Sequence, residues 1–331
     1  MFAVLLTSSL AHAALTLYDD GNVLTAAAAG GYFTGGVNAP TVEWDGVNRK
    51  FVMYFESPQA TASIPSDCAT GYVIGRATSI DGLSWTVDAT PILGLDATVG
   101  SNRHCGASQP AVVFDGTTWH MVFSQSKEKI STAAAANQNT GVAYATSADG
   151  VNFTIVDDPA IPPSTDLAAP IGLASMTISD DIIYVLYDQY PDIYLAEMPK
   201  DHSTAWALNG MVLDNAGQSW SSTWLFGPAL ACSRGGNMEL FIGGDDSAGT
   251  RSIAYGTSPN GYDWTWAAST PLSGGTLSFS SLNHWDMLHT GNKRSFLFYY
   301  SKTDAATGLK AIGLARTRPT NMKVASKYCN Y

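Results

Sequence analysis

A seven-residue phrase occurs three times in this chain and constrains its fold more than any other feature. The copies are SIDGLSW at 79–85, SADGVNF at 147–153 and SPNGYDW at 258–264. Each copy follows a strand-like run of small residues. Asp-Gly or Asn-Gly between two such runs predicts a β-hairpin, because both central residues of a type I′ turn have positive φ. We therefore predict three hairpins, each with an aromatic residue two positions into its second strand.

A further pair of strand-like segments precedes each hairpin, and two more units have this pair without the phrase. The first strands of the five pairs begin near residues 41, 111, 175, 229 and 286. The period of 54–70 residues leaves room for four strands, and repeats of this kind are typical of propellers. We predict an all-β fold, a five-bladed β-propeller with four-stranded antiparallel blades around a central channel.

The two ends of the chain carry separate expectations. An outermost strand for the last blade is expected from residues 15–24 or, alternatively, from residues 322–326, and either would remove an exposed sheet edge. Residues 1–13 combine a short apolar run with the A-x-A-like site AHA, which predicts a cleaved signal peptide; the alternative is an apolar first strand. We expect residues 14–331 to form a single domain that is secreted or periplasmic.

Composition narrows the range of partners. The net charge of −11 gives an acidic surface that repels phosphate backbones, so we expect no nucleic-acid partner. No later apolar stretch has the length of a membrane span, and we expect a monomer without a membrane partner. Four cysteines fit an oxidising compartment. We favour the pairs Cys68–Cys105 and Cys232–Cys329, the alternative being free buried thiols.

Antiparallel connection sorts the loops between two faces of the predicted propeller. The start of each inner strand and the end of each second strand lie on the same face, which we call the entrance face. The longer insertions, residues 58–70, 127–140 and 210–227, all fall there. Long loops gathered on one face of a rigid scaffold usually carry function, so we look for the site on the entrance face.

Two segments resemble a known family. Asn38-Ala39-Pro40 and Ser108-Gln109-Pro110, each followed by an apolar strand and Asp-Gly, look like inner strands of five-bladed propeller glycosidases: the arabinanases, β-xylosidases, invertases and levansucrases. The Ala-Thr-Ser-x-Asp-Gly-x-x-Trp phrase is also common among them. The resemblance implies three acids around an axial pocket. The matching positions here hold Ala39, Gln109, Gly227 and His284, none of which is a carboxylate.

Hydrolysis of a glycoside usually needs two carboxyl groups, one protonated and one ionised. If this chain is a hydrolase, its carboxylates have therefore moved. Among the acids of the entrance face, we predict Asp188 or Glu56 as the acid and Asp286 as the base. Asp286 lies two residues beyond His284, so both should project to one side of their strand. The alternative for each of the three is a solvated loop carboxylate.

The predicted substrate-binding residues also lie on the entrance face. Flat aromatic surfaces beside polar groups suit sugar rings, and histidines can orient a hydroxyl group or a water. The set is Trp220, Trp224, Trp285, His104, His284, Arg103, Gln109, Asp245 and Asp246. The alternatives are packing between blades for the tryptophans and structural hydrogen bonds for the histidines. No metal-ligand spacing is evident and no cofactor is expected, with Ca²⁺ in the central channel the one ion considered.

Three functions remain open. The first is a secreted carbohydrate-active protein, a glycoside hydrolase with relocated carboxylates that acts on a polysaccharide or oligosaccharide. The second is a non-catalytic glycan-binding propeller or inactive glycosidase relative, which would use the same pocket and tryptophans. The third is a surface protein that uses the propeller for docking. A single loop-rimmed pocket favours the first two, and the missing acids favour the second and third.

Overall fold

The computed structural model describes residues 16–59, 64–66, 68, 71–96, 98, 101–126, 139–163, 171–232, 236–267, 272, 277–279, 282, 284–290, 295–317 and 327. Within them the protein is all-β apart from a few short helical turns, such as α1 (Ala26–Ala29) and the 3₁₀ turns Gly31–Phe33 and Asn215–Gly217. No helix in these ranges is long and apolar enough to cross a membrane. The predicted signal peptide lies outside the described residues.

Twenty strands are present in the described ranges, and we divide them into five groups along the chain. Group one is β2 (Asn38–Asp45), β3 (Lys50–Pro58), β4 (Tyr72–Ser79) and β5 (Thr86–Val87). Group two is β6 (Gly106–Phe114), β7 (Trp119–Ser126), β8 (Asn139–Ser147) and β9 (Thr154–Ile161). Group three is β10 (Ile171–Ser179), β11 (Ile182–Gln189), β12 (Asp192–Pro199) and β13 (Ala207–Leu213).

The last two groups complete the list. Group four is β14 (Trp224–Cys232), β15 (Met238–Asp245), β16 (Arg251–Ser258) and β17 (Thr265–Trp266). Group five is β18 (Trp285–His289), β19 (Phe296–Thr303), β20 (Lys310–Arg316) and β1 (Tyr18–Leu24). Groups three to five are separate four-stranded antiparallel sheets. Groups one and two form one eight-stranded sheet, because a single parallel pair, Tyr72–Gly106, joins β4 to β6.

The groups pack face to face around a common centre. Each first strand (β2, β6, β10, β14, β18) contacts the first strand of the next group, and β18 contacts β2. Buried apolar side chains form five clusters, and each cluster lies between two consecutive groups. The hydrophobic cores therefore lie between sheets, and the sheets hold the first strands around a central channel.

The N-terminal strand closes the last sheet. β1 pairs antiparallel with β20, between Tyr18–Arg316 and Leu24–Ile312. This confirms the first of the two closures that the sequence left open; residues 322–326, the alternative, lie outside the described residues. Groups three and five lack the phrase, and their third strands are β12 and β20.

The repeated phrase joins the third and fourth strands as predicted, but its type I′ turn was wrong. Six residues separate β4 from β5, and of the central pair Gly82 alone has positive φ, at 70°. The Asp81 carboxylate accepts the N–H groups of Leu83 and Ser84 at 2.8 Å each, a side-chain turn that spares the aspartate a positive φ. Trp85 consequently precedes β5 instead of lying within it.

The other two copies repeat this local structure. Gly150 and Gly261 have positive φ, and Asp149 and Asn260 accept the corresponding N–H groups. A two-residue turn with positive φ at both positions occurs instead between β10 and β11, at Asp180 and Asp181. Aspartate tolerates this conformation better than most residues.

Disulfides add covalent links. Cys68 and Cys105 are bonded, as predicted, and their Cα atoms lie 5.4 Å apart. The bridge connects the loop after β3 to the segment that enters β6, so it ties group one to group two. Cys232, at the end of β14, is also disulfide-bonded. Its predicted partner, Cys329, lies outside the described residues.

Candidate functional site

A small pocket lies on the channel axis where the first strands begin. Its lining comes from all five groups: Ala39, Pro40, Gln109, Pro110, Ala174, Gly227, Pro228, His284 and Trp285. The prediction that Ala39, Gln109, Gly227 and His284 surround one axial hollow is confirmed. The pocket has a volume of about 20 Å³, and a cavity of roughly 10–15 Å³ holds one water. It therefore accepts a group of the size of a hydroxyl, and a whole sugar ring does not fit inside.

Three of the first strands enter the pocket through the same backbone conformation. Ala39, Gln109 and Gly227 have φ of 45°, 50° and 57°, and each precedes a proline. The ladder between first and second strands shifts register at each of them. Positive φ at Ala39 and Gln109 costs of order 1–3 kcal/mol apiece unless the surroundings impose it. Backbone strain is therefore present at two points of the pocket rim.

A side chain of a neighbouring group contacts the backbone N–H of each of these three residues. The Glu56 Oε2 accepts the N–H of Gln109 at 3.0 Å, and the Ser301 Oγ accepts the N–H of Ala39 at 2.9 Å. Asp188 Oδ2 lies 3.4 Å from the N–H of Gly227. All three acceptors come from second strands, β3, β19 and β11. Two of the predicted catalytic acids thus bind backbone at the pocket wall.

Glu56 is the predicted acid closest to the pocket lining. It is 5% exposed, and its Oε1 also accepts the Asn38 Nδ2 at 2.6 Å. Burial raises the pKa of Glu56, while the hydrogen bonds from Asn38 and Gln109 act in the opposite direction. A buried carboxyl with a raised pKa is what a general acid requires. The predicted role of Glu56 stays a prediction.

Asp286 lies in the channel beside the pocket, where it contacts Lys327, a residue that the sequence analysis did not place in the site. Lys327 Nζ contacts Asp286 Oδ1 at 2.8 Å and Oδ2 at 2.6 Å, and it donates to Thr41 Oγ1 at 3.1 Å. Asp286 Oδ2 also accepts the N–H of Val42 at 2.6 Å. Burial raises the pKa of Asp286, and the ammonium of Lys327 opposes this. An aspartate committed to these donors is poorly placed to take a proton from water.

The main chain of Lys327 is bound as well. Its N–H lies 3.2 Å from Glu43 Oε2, and its carbonyl accepts the Thr177 hydroxyl at 2.6 Å. Residue 327 therefore contacts groups one, three and five at once. The only sequence signal for this was the predicted Cys232–Cys329 pair, which would bring the C-terminal segment to group four.

The remaining predicted residues divide between the pocket and its surroundings. Gln109, His284 and Trp285 line the pocket. Arg103 donates to the Gly94 carbonyl in the segment before β6, and His104 is buried one residue further on. Neither of these two lines the pocket.

The predicted residues of group four serve other contacts. Asp245 forms a two-point ion pair with Arg251, at 3.0 and 3.1 Å, and Asp246 closes an exposed turn. Trp220 packs edge-on against Trp266 with ring centroids 5.7 Å apart. Trp220 also packs against the buried cluster between groups three and four, so packing between blades, the alternative given for the tryptophans, describes Trp220.

Two pocket residues have polar atoms that are buried and lack a hydrogen-bond partner among the described residues. These atoms are His284 Nδ1 and Trp285 Nε1. Buried polar groups are almost always paired in folded proteins. Trp224 Nε1 and Asn38 Oδ1, on residues that neighbour the lining, share this property. Four buried polar atoms without a partner among the described residues therefore lie on or next to the pocket lining.

No group of three or more His, Cys, Asp or Glu side chains within the described ranges is arranged to hold a metal ion. The side chains of Asp286 and Thr41 both present oxygen atoms to the channel, and the Lys327 ammonium binds these two oxygens. The expectation about Ca²⁺ stays untested.

We expect His284 to remain neutral at and below neutral pH. Burial lowers its pKa to about 4, and the positive charges of Lys310 and Arg251 act in the same direction. An ordinary histidine titrates near pH 6.5. NMR of the ring protons, assigned with His284→Gln, should show no titration of His284 between about pH 5 and pH 8.

The linked effect on stability has a defined sign. Because the folded-state pKa lies below the unfolded value, the contribution of neutral His284 is present above the unfolded pKa and is lost as pH falls through about 4. The excess unfolding free energy of wild type over His284→Gln should shrink as the pH falls from 6.5 to about 4. A titration midpoint near the ordinary value would contradict this.

Comparisons with known proteins give a likeness of structure alone. No protein-family model and no curated protein matches the chain. A β-1,2-mannobiose phosphorylase from Listeria innocua matches with a TM-score of 0.64 at 12% identity, over 91% of this chain and 95% of that one. The catalytic domain of a GH62 α-L-arabinofuranosidase from Coprinopsis cinerea matches with a TM-score of 0.62 at 11% identity, over 92% and 97%.

A third match is the α-L-arabinofuranosidase from Podospora anserina in complex with cellotriose, with a TM-score of 0.60 at 14% identity, over 92% and 97% of the two chains. At such identities the likeness concerns the fold. These structures are five-bladed β-propellers of the glycoside hydrolase type. The chain therefore has a β-propeller, glycoside hydrolase-like fold.

Proposed function

We propose that this protein is a secreted five-bladed β-propeller that binds carbohydrate at the mouth of its axial pocket without hydrolysing it there. The five blades are the five strand groups, with the eight-stranded sheet counted as two. Secretion is supported by the disulfide bonds of Cys68–Cys105 and Cys232, since such bonds persist in oxidising compartments. The propeller neighbours, which include glycosidases and a phosphorylase, support a carbohydrate ligand.

One observation carries the proposal: among the described residues, the pocket lining contains polar and apolar side chains but no carboxylate. Hydrolysis of a glycosidic bond usually needs two carboxyl groups that flank it, about 5–10 Å apart. Here the neighbouring acids Glu56 and Asp188 bind the backbone N–H groups of the lining, and Asp286 binds Lys327. These contacts give each of the three carboxylates a structural partner, which favours binding over hydrolysis at the pocket.

The pocket suits a sugar substituent. Its volume matches one hydroxyl group, and a hydroxyl both donates and accepts hydrogen bonds. The neutral imidazole of His284 and the indole N–H of Trp285 offer unsatisfied partners of both kinds. A sugar ring would lie across the mouth and insert one hydroxyl or hydroxymethyl group toward these residues.

Binding and hydrolysis can be separated by experiment. Isothermal titration with xylotriose, cellotriose, β-1,2-mannobiose and soluble arabinan, xylan and fructan should find binding, and a reducing-sugar assay should find no release. His284→Ala should weaken binding by about three- to tenfold, the equivalent of one hydrogen bond. His202→Ala is the matched control, since His202 is another half-buried histidine and lies on the opposite face.

The second candidate function is a glycoside hydrolase with Glu56 as its acid. The raised pKa of this buried carboxyl beside Gln109 favours it. Release of reducing sugar that Glu56→Gln abolishes would establish hydrolysis and overturn the proposal. Absence of binding to every glycan of the panel would overturn both candidates.

A further inference from the structure

Four aromatic rings form a continuous row from the surface to the pocket. Tyr190 and Trp224 have ring centroids 5.9 Å apart, Trp224 and Phe226 are 5.0 Å apart, and Phe226 and Trp285 are 5.5 Å apart. The last ring lines the pocket. We propose that this row is an extended subsite for a glycan chain, with Tyr190 and Trp224 as the platform for a sugar beyond the one at the pocket.

The exposed fraction of the rings falls from the surface end of the row to the pocket end, so a ligand can reach the outer rings. Tyr190 is 50% exposed, Trp224 is half-buried, and Phe226 and Trp285 are 2% and 5% exposed. The outer rings thus offer surface to a ligand, while the inner rings support them. A sugar presents an apolar C–H face to such rings and keeps its hydroxyls in water.

The row is rigidly supported. The N–H of Leu225 donates to the Pro191 carbonyl at 2.9 Å, which fixes the turn that carries Tyr190 against the start of β14. The Arg251 guanidinium lies 4.4 Å from the Phe226 ring centre and is held by its ion pair with Asp245. A preformed platform loses little conformational entropy when a ligand binds.

A glycine makes room for the inner half of the row. A methyl group at Gly243 would lie 2.5 Å from the Trp285 ring and 2.7 Å from the Phe226 ring. No side-chain carbon approaches that closely, so the two rings depend on glycine at this position of β15. Trp224, a predicted site residue, lies between the exposed ring of Tyr190 and the inner rings of the row.

This inference rests on the proposed carbohydrate function and makes it more specific, since it names a chain of several sugars as the ligand. Two rings lie between Tyr190 and Trp285, so a sugar on Tyr190 is a different residue of the chain from the sugar at the pocket. Affinity should therefore rise with chain length. Short ligands should depend on His284 and Trp285, and longer ligands should depend on Tyr190 as well.

The test is titration calorimetry with xylo-, arabino- and fructo-oligosaccharides, from the disaccharide to the hexasaccharide. Wild type should bind the longer members more tightly. Tyr190→Ala should weaken binding of the longer members by about five- to tenfold, as expected for a lost aromatic contact, and leave the disaccharide unchanged. Tyr190→Phe should behave as wild type, because it keeps the ring.

Tyr18→Ala is the matched control, since Tyr18 is 49% exposed and lies on the outermost strand β1. If Tyr190→Ala retains the wild-type gain with length, or if wild type has no such gain, the subsite is overturned while the proposed function stands. If wild type binds none of the oligosaccharides or polysaccharides, the proposed function fails, and the subsite fails with it.

Discussion

Replacing Lys327 with methionine is expected to lower the free energy of unfolding by about 3–5 kcal/mol, the usual cost of removing one partner of a buried ion pair. The side chains of Lys327 and Asp286 are 1% and 5% exposed. Without the ammonium, the Asp286 carboxylate would stay buried in the channel with the backbone N–H groups of Val42 and Met287 as donors and no compensating charge from Lys327. Urea unfolding of wild type and variant measures the difference.

A double variant distinguishes loss of the charge pair from loss of packing. Asp286→Asn keeps an acceptor for Val42 and carries no charge, so Lys327→Met combined with Asp286→Asn removes the uncompensated carboxylate. The double variant should be more stable than Lys327→Met alone, and the two single losses should add to more than the double loss. Unfolding free energies of Lys327→Met and wild type within about 1 kcal/mol would contradict the assigned role of the pair.

Lys327 also marks the limit of what the sequence could predict. Its contacts with Thr41 and Glu43 span more than 280 positions of the chain. No periodicity or local motif distinguishes a lysine that fills a channel from one that is solvated on the surface. Asp286 binds this lysine, so the prediction of Asp286 as a base could not take the neighbouring ammonium into account.

The pocket was easier to predict because its residues share a local pattern. A residue before proline at the start of a strand places Ala39, Gln109 and Gly227 at equivalent points of three groups. Antiparallel connection then sets which face they occupy, and the face assigned to Glu56 and Asp188 follows from the same rule. Their hydrogen bonds to the next group could not be inferred, because those contacts depend on how neighbouring sheets are rotated against each other.

The repeated phrase is an intermediate case. Its Asp-Gly pairs located the links between third and fourth strands, yet the turn type was wrong, because the aspartate side chain replaces a backbone hydrogen bond. Tyr299 and Tyr54 donate to the carbonyls of Gly82 and Gly150 from the preceding group. These wider turns therefore also serve as contacts between neighbouring groups.

Removing the Cys68–Cys105 disulfide is expected to lower the free energy of unfolding by about 4 kcal/mol. The two cysteines are 37 positions apart, and the value follows from the chain entropy that a crosslink of this span removes from the unfolded state. The bridge also lies where groups one and two join, since the Cys105 carbonyl accepts the N–H of Tyr72 at 3.2 Å. Cys68→Ser combined with Cys105→Ser tests this by urea unfolding without reductant.

Backbone contacts around the disulfide give an independent reason to expect that the double serine variant still folds. The Cys105 N–H donates to the Ser126 carbonyl at 2.7 Å, and Tyr72 pairs with Gly106, so the backbone links survive without the sulfur bridge. The loss should thus appear in stability, while His284-dependent glycan binding changes little at temperatures where the variant is folded. Two outcomes would argue against an entropic crosslink: equal unfolding free energies for the two proteins, or a variant that never folds in oxidising buffer.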